Sequence, residues 1–500
     1  MDYRARAALV EEPERRVEMS RAAYPSPEFT SSIPHPPNLQ YYPFQLAGIE
    51  YITEALSRQK GVLVADEMGL GKTIEAIGYI NLTGPGRVLV VCPAFLKLNW
   101  LREMERWLVE RYEITMLDGR SSLPDPLPSR LAVIVNYDIL GKHLPRLVPI
   151  TWDLLILDES HYIKDINAKR TRAVLGRRGP GLAASARRVI AMTGTPTPNH
   201  PGELLPQLLA IGFPIRAKEF FSRYVEFEVG SRYDPETGDE VMWHRVVGGK
   251  NLEELQYMLR AGWMLRREKR DVLPQLPAKV RQAILMSPEG LSADLRFAHT
   301  KFMNRIRMLN LDGLGPEEAA SILRSSLGVD EIGEIEAIRL ETALAKLPEA
   351  LEFIDSAVEG SASGKVVVFA HHREVLDRMA DHYGPSAVVV HGGTPLPERS
   401  VATERFQHDP SVRVFLGSIR AIGLGITLTA SSTVVFVELD WSPAAMEQAE
   451  DRVHRIGQLE QVNVYYLVVD DTIDAYIANT IIHKEVDIAR LLKYNHSSHR

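Results

Sequence analysis

The chain has 500 residues, of which 45% are hydrophobic and 25% are charged, and its formal net charge at pH 7 is -7. This length predicts two or three domains, and the composition is ordinary for a globular protein. The acidic balance excludes a protein that coats nucleic acid through a generally basic surface, so any grip on a phosphate backbone must be local.

Membrane and targeting signals are absent from the sequence. No stretch of about 18 uncharged apolar residues occurs, and the first ten residues, MDYRARAALV, contain no apolar signal segment. We therefore expect no membrane partner and an intracellular location, cytoplasmic or nucleoid-associated in a bacterium or phage and nuclear in a eukaryote. Cys92 is the only cysteine, which excludes an internal disulfide.

Short apolar runs form two similar sets along the chain. Residues 1–37 precede them, mix charge with Pro and Ser, and are predicted to be an irregular arm, with order beginning near Tyr41. The runs are too short for helices and rich in Val and Ile, which is typical of strands buried on both faces of a parallel sheet. The first set is GVLVADE (61–67), RVLVVCP (87–93), LAVIVNY (131–137), DLLILDE (153–159) and RRVIAMTGT (187–195). The second set is KVVVFAHH (365–372), AVVVHGG (387–393), VRVFLGS (412–418), TVVFVEL (433–439) and VNVYYLV (462–468).

Helical patterns lie between several of these runs, such as LKLNWLREMERWL in the first set and REVLDRMADHY in the second. The sequence therefore predicts an α/β fold of two tandem, doubly wound, parallel-sheet lobes. We place the first lobe at 38–273 and the second at 274–485. A helical insertion is expected at 290–360 and a C-terminal tail at 486–500.

The segment DEMGLGKT follows a predicted strand and opens a helical pattern, which is the context of a phosphate-binding loop. We expect Lys72 to meet the β- and γ-phosphates of ATP and the Thr73 hydroxyl to bind Mg²⁺. Asp66 stands where the general pattern has its first glycine, so a glycine-rich loop without a nucleotide stays an alternative for this segment alone. The predicted ATP-binding residues of the loop are Asp66, Met68, Gly69, Leu70, Gly71, Lys72 and Thr73.

The segment LLILDESH ends a predicted strand with two carboxylates, at the sheet edge where such folds bind ligands. Asp158 is the expected Mg²⁺ partner, and Glu159 is expected to orient and deprotonate an attacking water. A solvated strand end is the alternative. The phosphate loop upstream makes the catalytic interpretation the stronger one.

The segment QAEDRVHRIGQ is predicted to be helical, with Gln448, Arg452 and Arg455 three or four residues apart on one face. Arginines from a second lobe are suited to stabilise charge on a transferred γ-phosphoryl group. An ordinary salt-bridged helix face is the alternative for this segment alone. All three residues are candidate catalytic residues.

Other side chains carry weaker signals. The Gln45 amide can pair with the adenine edge, and a surface glutamine is its alternative. His371 and His372 end a predicted strand, where adjacent residues point to opposite faces, so joint metal ligation is not expected. Trp263 and Trp441 can stack on bases, but packing in the core is the expectation for both.

Read in order, these motifs make one pattern. The chain resembles the Swi/Snf-type ATPases of helicase superfamily two, and within them is most similar to the annealing-helicase branch, over about residues 38–485. The motifs that carry the resemblance are Gln45, DEMGLGKT, VCPAFLKLNW, IVNYDIL, LDESHYIKD, TGTPTPN, MLRREKRDVLPQLPAK, VVVFAHH, GLGITL and DWSPAAMEQAEDRVHRIGQ. One departure is Ser442, in WSP where the family commonly has WNP, which leaves its polar role open.

The resemblance implies two RecA-like lobes that use ATP and Mg²⁺ and move along double-stranded DNA through sequence-nonspecific backbone contacts. It assigns Arg452 and Arg455 as arginine fingers and Asp158 and Glu159 as the Mg²⁺ and water carboxylates. The expected coupling or DNA-contact positions are Thr193, Thr195, Tyr137, His391, Gly423, Gly425, Thr427 and Trp441. A strand-separating or annealing DNA or RNA helicase is an alternative function, and so is a DNA-binding scaffold with a degenerate nucleotide site. A protein client is unidentified.

Overall fold

The computed structural model describes residues 12–27, 29, 33–176, 179–197, 200–233, 240–273, 276–287, 290–308, 329–421 and 426–478. Two compact units divide after Leu273, and each contains one parallel sheet with helices around it. The predicted α/β class with two parallel-sheet lobes is therefore confirmed. Among the described residues, no helix is long and apolar enough to cross a membrane.

The first unit contains a parallel sheet and a separate hairpin. Its strands are β1 (Gly61–Val64), β2 (Arg87–Cys92), β3 (Glu113–Met116), β4 (Leu131–Asn136), β5 (Trp152–Asp158), β6 (Ala186–Met192), β7 (Val225–Tyr233), β8 (Glu240–Gly249) and β9 (Met264–Leu265). Seven of them pair in the order β3, β4, β2, β5, β6, β1, β9, and every pair is parallel. Strands β7 and β8 form an antiparallel hairpin.

Alternate residues of the central strands face two different hydrophobic clusters. On β2, Leu89 and Val91 pack into one cluster, whereas Val88 and Val90 pack into the other. Because side chains alternate along a strand, both faces of the sheet are buried. Burial on both faces is the reason that these strands appear in the sequence as continuous apolar runs.

Helices of the first unit lie between and around these strands. They are α1 (Pro13–Met19), α2 (Pro43–Arg58), α3 (Lys72–Thr83), α4 (Lys97–Trp107), α5 (Leu140–Leu147), α6 (Lys169–Leu175), α7 (Leu182–Ser185), α8 (Leu205–Ala210), α9 (Ala217–Tyr224), α10 (Leu252–Arg260) and α11 (Lys269–Val272). Helix α3 begins directly at the predicted phosphate loop, as the sequence pattern requires.

Helix α1 lies inside the segment that was expected to be an irregular arm. Arg16 and Ser20 are buried, and the Ser20 carbonyl accepts a hydrogen bond of 3.2 Å from the backbone of Arg266. Order therefore begins well before Tyr41, and that expectation is wrong. Val17 is the one buried apolar residue of the helix, so no helical periodicity was visible in the sequence.

The second unit is built on a six-stranded parallel sheet. Its strands are β10 (Lys279–Met286), β11 (Val366–Ala370), β12 (Ala387–Val390), β13 (Val414–Ser418), β14 (Thr433–Phe436) and β15 (Val462–Val469), in the order β10, β15, β14, β11, β13, β12. Its helices are α12 (Ala293–Met308), α13 (Val329–Gly360), α14 (Arg373–Tyr383), α15 (Leu396–His408) and α16 (Pro443–Glu450). Residues 479–500, which contain the expected tail, lie outside the described residues.

Removal of a buried aromatic ring from the core of the second unit should destabilise the fold. Phe369 on β11 is 0% exposed, and its ring lies 5.1 Å from that of Phe436 on β14. We expect Phe369→Ala to lower the free energy of unfolding by about 3 to 5 kcal/mol, because it leaves a cavity. Urea denaturation followed by tryptophan fluorescence measures this loss. Phe297→Ala, at a ring that is 72% exposed on α12, is the matched control and should change stability by less than about 0.5 kcal/mol.

Candidate nucleotide site

The phosphate loop lies at the carboxyl end of β1. Gly69 and Gly71 adopt φ angles of 83° and 84°, which glycine tolerates and other residues rarely adopt. The Lys72 ammonium donates hydrogen bonds of 2.8 and 3.3 Å to the backbone carbonyls of Asp66 and Glu67. Burial lowers the pKa of Lys72 from its ordinary value. The lysine is therefore held over its own loop, with its charge at the point where a phosphate chain is expected.

Gln45 on α2 packs against this loop. Its Nε2 donates to the carbonyl of Leu70 over 3.4 Å, and its Oε1 accepts from the backbone of Tyr42 over 3.0 Å. A Cβ atom at Gly71 would lie 2.5 Å from Gln45 Nε2, so glycine is needed there for packing as well as for φ. The Tyr42 ring is partly exposed beside it, and sequence reasoning did not single it out. Gln45 is buried at the loop, which excludes the alternative of a surface glutamine.

A buried ionic triad lies beneath the loop. The Arg267 guanidinium pairs with the carboxylates of Asp66 and Glu75 and also donates to the carbonyl of Phe44. All three charged side chains are fully buried. Burial raises the pKa of Glu75 to about 8, and the facing guanidinium of Arg267 opposes this shift. The Asp66 side chain therefore supports the loop from below, which corrects its expected place among ATP-binding side chains.

Residues next to Arg267 in the sequence also contact the phosphate loop and its surroundings. Arg266 donates to the carbonyls of Ala65 and Gly194, over 2.5 and 3.0 Å, and the backbone of Lys269 donates to the Glu67 carboxylate over 2.8 Å. Sequence reasoning used this segment only as part of a family resemblance and missed its contact with the loop. The sequence contained a signal for this contact. It consists of two consecutive arginines after apolar residues and an acid in place of a loop glycine.

Asp158 lies at the carboxyl end of β5, in a buried setting. Its carboxylate accepts 2.7 Å from the Trp100 indole N–H and 3.0 Å from the backbone of Glu159, and the Tyr137 hydroxyl donates 3.0 Å to its carbonyl. Burial, and then the neighbouring charge of Glu159, raise the pKa of Asp158 to about 7. A buried carboxyl that resists ionisation next to a second carboxylate is suited to a cation.

The Glu159 side chain faces the segment after β6. Its carboxylate lies 3.3 Å from the Thr193 hydroxyl and 3.2 Å from His161 Nδ1, and Glu159 has the uncommon φ of 48°. The backbone of Thr195 donates to the Thr193 hydroxyl over 3.1 Å. Among the described residues, the buried hydroxyls of Thr195 and Thr197 have no hydrogen-bond partner. The structure thus brings Glu159 together with Thr193 at one sheet edge and leaves donors beside them available.

Two of the expected coupling residues pack inside their own units. Tyr137 is 2% exposed and stacks on Tyr162 at 5.4 Å, so its side chain supports the strand end at Asp158. Trp441 is 5% exposed, and the Arg339 guanidinium lies 6.0 Å from its ring centre, in agreement with the expected packing in the core. Ser442 caps α16, since its hydroxyl accepts 3.3 Å from the backbone of Ala445.

The expected helix that carries the arginines ends early. Helix α16 includes Gln448 but ends at Glu450, and Arg452 and Arg455 lie in the turns that follow. The prediction of one continuous helix with all three residues on one face is therefore wrong. Beyond Glu450, which is buried and bonded to Arg281, Lys279 and Tyr466, the Arg452 carbonyl accepts from the Leu428 backbone and not from a continuing helix.

The turns after α16 place both arginines beside the segment around Thr427. The carbonyl of Arg452 accepts 2.8 Å from the backbone of Leu428, and Arg455 donates over 3.4 Å to the carbonyl of Ile426. Thr427, between these two residues, is partly exposed. His391 is also partly exposed, at the turn before α15. Gly423 and Gly425, the other expected positions of this turn, lie outside the described residues.

His371 and His372 were expected to point to opposite faces of a strand. Strand β11 ends at Ala370, so both histidines lie in the turn before α14 and strand alternation no longer applies to them. Their ring centres are 4.9 Å apart. Strand alternation is therefore no longer a reason against joint metal ligation by these two residues.

The residues of the first unit fit a magnesium nucleotide. Lys72 supplies a cation, the loop supplies backbone N–H groups with positive-φ glycines, and Asp158 supplies a buried carboxyl whose ionised form needs a counter-charge. The partly exposed Thr73 opens α3 next to Lys72, as a hydroxyl ligand of such an ion requires.

Two protein-family models match this chain. The SNF2-related domain matches residues 44–328, which is more than half of the chain, and the helicase conserved C-terminal domain matches residues 345–457. The chain belongs to the SNF2 family. This membership confirms the family resemblance and agrees with the helicase-like enzyme class predicted from the sequence.

Individual SNF2 relatives cover most of this chain. The SWI/SNF-related matrix-associated actin-dependent regulator of chromatin subfamily A-like protein 1 of Xenopus tropicalis is 35% identical over 447 residues, 87% of this chain and 43% of that protein. The human DNA annealing helicase and endonuclease ZRANB3 is 35% identical over 448 residues, 86% of this chain and 38% of that protein. The chain thus spans about two fifths of each relative. The Sulfolobus solfataricus SWI2/SNF2 ATPase core in complex with dsDNA has a TM-score of 0.42 and 21% identity, covering 93% of this chain and 98% of that chain.

The buried triad predicts that restoring the general phosphate-loop pattern will destabilise this protein. Asp66→Gly restores the first glycine of the general phosphate-loop pattern, yet it removes the partner of a fully buried arginine. We expect it to lower the free energy of unfolding of the first unit by about 3 to 5 kcal/mol and to weaken ATP binding. Urea denaturation and fluorescent-nucleotide titration measure these effects. The double variant Asp66→Gly with Arg267→Met removes the unpaired charge and should recover part of the stability; no recovery would remove the triad from its role.

The raised pKa of Asp158 makes a prediction about pH. Because its folded-state pKa lies above the ordinary value of 3.8, the stability present at low pH is lost progressively as pH rises from that value to about 7. Asp158→Asn removes this titration. Without nucleotide or divalent cation, the melting temperature of the variant relative to the wild type should therefore rise by several degrees between about pH 5 and pH 8.5. Parallel melting profiles for the two proteins across this range would contradict it.

Proposed function

We propose that this chain is an ATP-driven translocase that moves along double-stranded DNA without separating the strands. The observation that carries the proposal is the Glu159 carboxylate, which contacts Thr193 beside the buried carboxyl of Asp158. Because the proposed catalytic base contacts Thr193, ATP hydrolysis could change the conformation of the segment that follows β6. The proposal also rests on membership of the SNF2 family.

In this proposal the phosphate loop and Lys72 bind the phosphates, and Asp158 with Thr73 hold Mg²⁺. The bound Mg²⁺ supplies neutralisation of charge on the phosphates. Glu159 orients the attacking water and accepts its proton, and its contact with His161 fixes the carboxylate. Gln45, held at the loop, reads the adenine edge.

Arg452 and Arg455 are proposed to stabilise the charge of the γ-phosphoryl group during transfer. Their placement in turns, anchored through backbone contacts to Ile426 and Leu428, supports this role because it links them to the segment that contains Thr427. An arginine that acts in this way is worth about 10³-fold or more in turnover. Both residues belong to the second unit.

The DNA contact is proposed to be local and independent of base sequence. A net charge of -7 leaves no general basic surface, and hydroxyls and backbone N–H groups at the ends of the strands are suited to hold phosphates. Thr195, which is buried and whose hydroxyl lacks a partner among the described residues, is the proposed coupling position of the first unit. Thr427 and His391 are the proposed contacts of the second.

Glu159→Gln tests the catalytic assignment. We expect the variant to bind ATP with nearly wild-type affinity but to lose DNA-stimulated turnover by about 10²-fold or more, because the general base is removed while the charge neighbours stay. Fluorescent-nucleotide titration and phosphate release with and without duplex DNA measure the two effects. Asp153→Asn, at the opposite end of the same strand, is the matched control and should keep DNA-stimulated turnover. Near wild-type turnover in Glu159→Gln would remove Glu159 from its role.

Translocation and strand separation are distinguished by two substrates. A translocase displaces the third strand of a triplex but leaves a duplex intact, whereas a helicase displaces the strand of a forked duplex. We expect ATP-dependent triplex displacement, no duplex displacement, and a rate that falls with salt. Duplex unwinding at a similar rate would favour the strand-separating alternative, and absence of any DNA-stimulated ATPase activity would favour the scaffold.

A further inference from the structure

Three side chains of the second unit converge on one point outside the nucleotide motifs. Glu336 on α13 points at His371 and His372, in the turn between β11 and α14. The Glu336 Oε2 atom lies 3.4 Å from His372 Nε2 and 3.7 Å from His371 Nε2. One potential ligand atom from each residue lies within 4.8 Å of the others. Ligand atoms of a tetrahedral zinc site lie about 3.3 Å apart, and the two distances from Glu336 are already close to this spacing.

A carboxylate lies near the other ring nitrogen of each histidine, within hydrogen-bond distance for His372. His372 Nδ1 lies 2.6 Å from Glu438 Oε1, and His371 Nδ1 lies 3.6 Å from Asp440 Oδ2. Glu438 also accepts two backbone hydrogen bonds of 2.9 Å, from His371 and His372, which fixes the turn. A carboxylate on Nδ1 holds the tautomer that leaves Nε2 as a metal ligand, which is the usual arrangement around histidine ligands.

The burial of the cluster suits an ion that retains one open position. The side chains of His371 and His372 are 21% and 17% exposed, and that of Glu336 is 43% exposed. An ion can therefore enter from solvent, and a water can complete the coordination. Two imidazoles and one carboxylate are a donor set that zinc and related divalent transition metals accept, whereas Mg²⁺ and Ca²⁺ prefer oxygen ligands alone.

We propose that Glu336, His371 and His372 bind a divalent transition-metal ion, with zinc as the preferred ion and one position left to water. The ion ties helix α13, the C-terminal part of the expected insertion, to the turn that leads into α14. Its proposed role is structural, because it would hold α13 against this turn. Glu438 and Asp440 are positioning residues that aim the two imidazoles.

Cobalt and zinc binding to the full chain tests this proposal. The protein is prepared without a polyhistidine tag, stripped with a chelator and titrated with Co²⁺, whose visible absorption reports coordination by nitrogen and oxygen ligands. We expect one equivalent to bind with a dissociation constant below about 10 µM, and Zn²⁺ to displace it and raise the melting temperature. His371→Ala and Glu336→Gln should each weaken binding by about 100-fold or more, and Glu438→Gln by about 10-fold to 100-fold.

Two exposed residues on the same helices provide matched controls. His382→Ala on α14 and Glu359→Gln on α13 should leave metal affinity unchanged. Circular dichroism checks that each variant is folded, and the partial exposure of Glu336 makes Glu336→Gln the variant least able to disturb packing. The proposal is overturned if the wild type gives neither the Co²⁺ absorption nor the Zn²⁺-dependent melting shift. It is equally overturned if Glu336→Gln and His371→Ala bind as tightly as the controls, because the ion then lies elsewhere.

Discussion

The buried pairing of Arg267 with Asp66 and Glu75 is the constraint on which the nucleotide site depends. Three ionisable side chains without solvent contact stabilise a fold only when they neutralise one another and satisfy their hydrogen bonds. Because Asp66 begins the phosphate loop and Glu75 lies on the helix that follows it, Arg267 holds both sides of that loop. The geometry of Lys72 and of the positive-φ glycines is therefore set by a residue nearly two hundred positions away.

The same residue explains a departure from the general phosphate-loop pattern. Elsewhere a glycine at the first loop position allows close approach of backbone to phosphate, whereas here an acid binds a buried arginine beneath the loop. The site thus combines a rigid lower layer of ion pairs with an upper layer whose carboxyl, Asp158, resists ionisation. The ion pairs of the lower layer do not include Asp158, so this carboxyl can respond to a bound cation without breaking them.

Prediction from sequence succeeded where physical signals are periodic and failed where they are local. Strands such as β2, buried on both faces, produced continuous apolar runs, and all ten predicted runs contain a strand. Edge strands β3 and β10 were missed because they lack burial on both faces, and β9 was missed because it has only two residues. The end of α16 at Glu450 was unreadable, since the residues that follow it bond to the distant backbone of Leu428. Likewise, the convergence of Glu336 with His371 depends on tertiary contacts that spacing does not encode.

The separation of Arg267 from Asp66 also sets an order in time during synthesis. The two residues are 201 positions apart in the chain. At an elongation rate of 5 to 20 residues per second, about 10 to 40 s pass between their incorporation. During that interval the phosphate loop and the carboxyls below it exist without their cation, and β1 without its neighbour β9. The nucleotide site of a nascent chain therefore matures only after almost the whole first unit has left the ribosome, however early its loop was made.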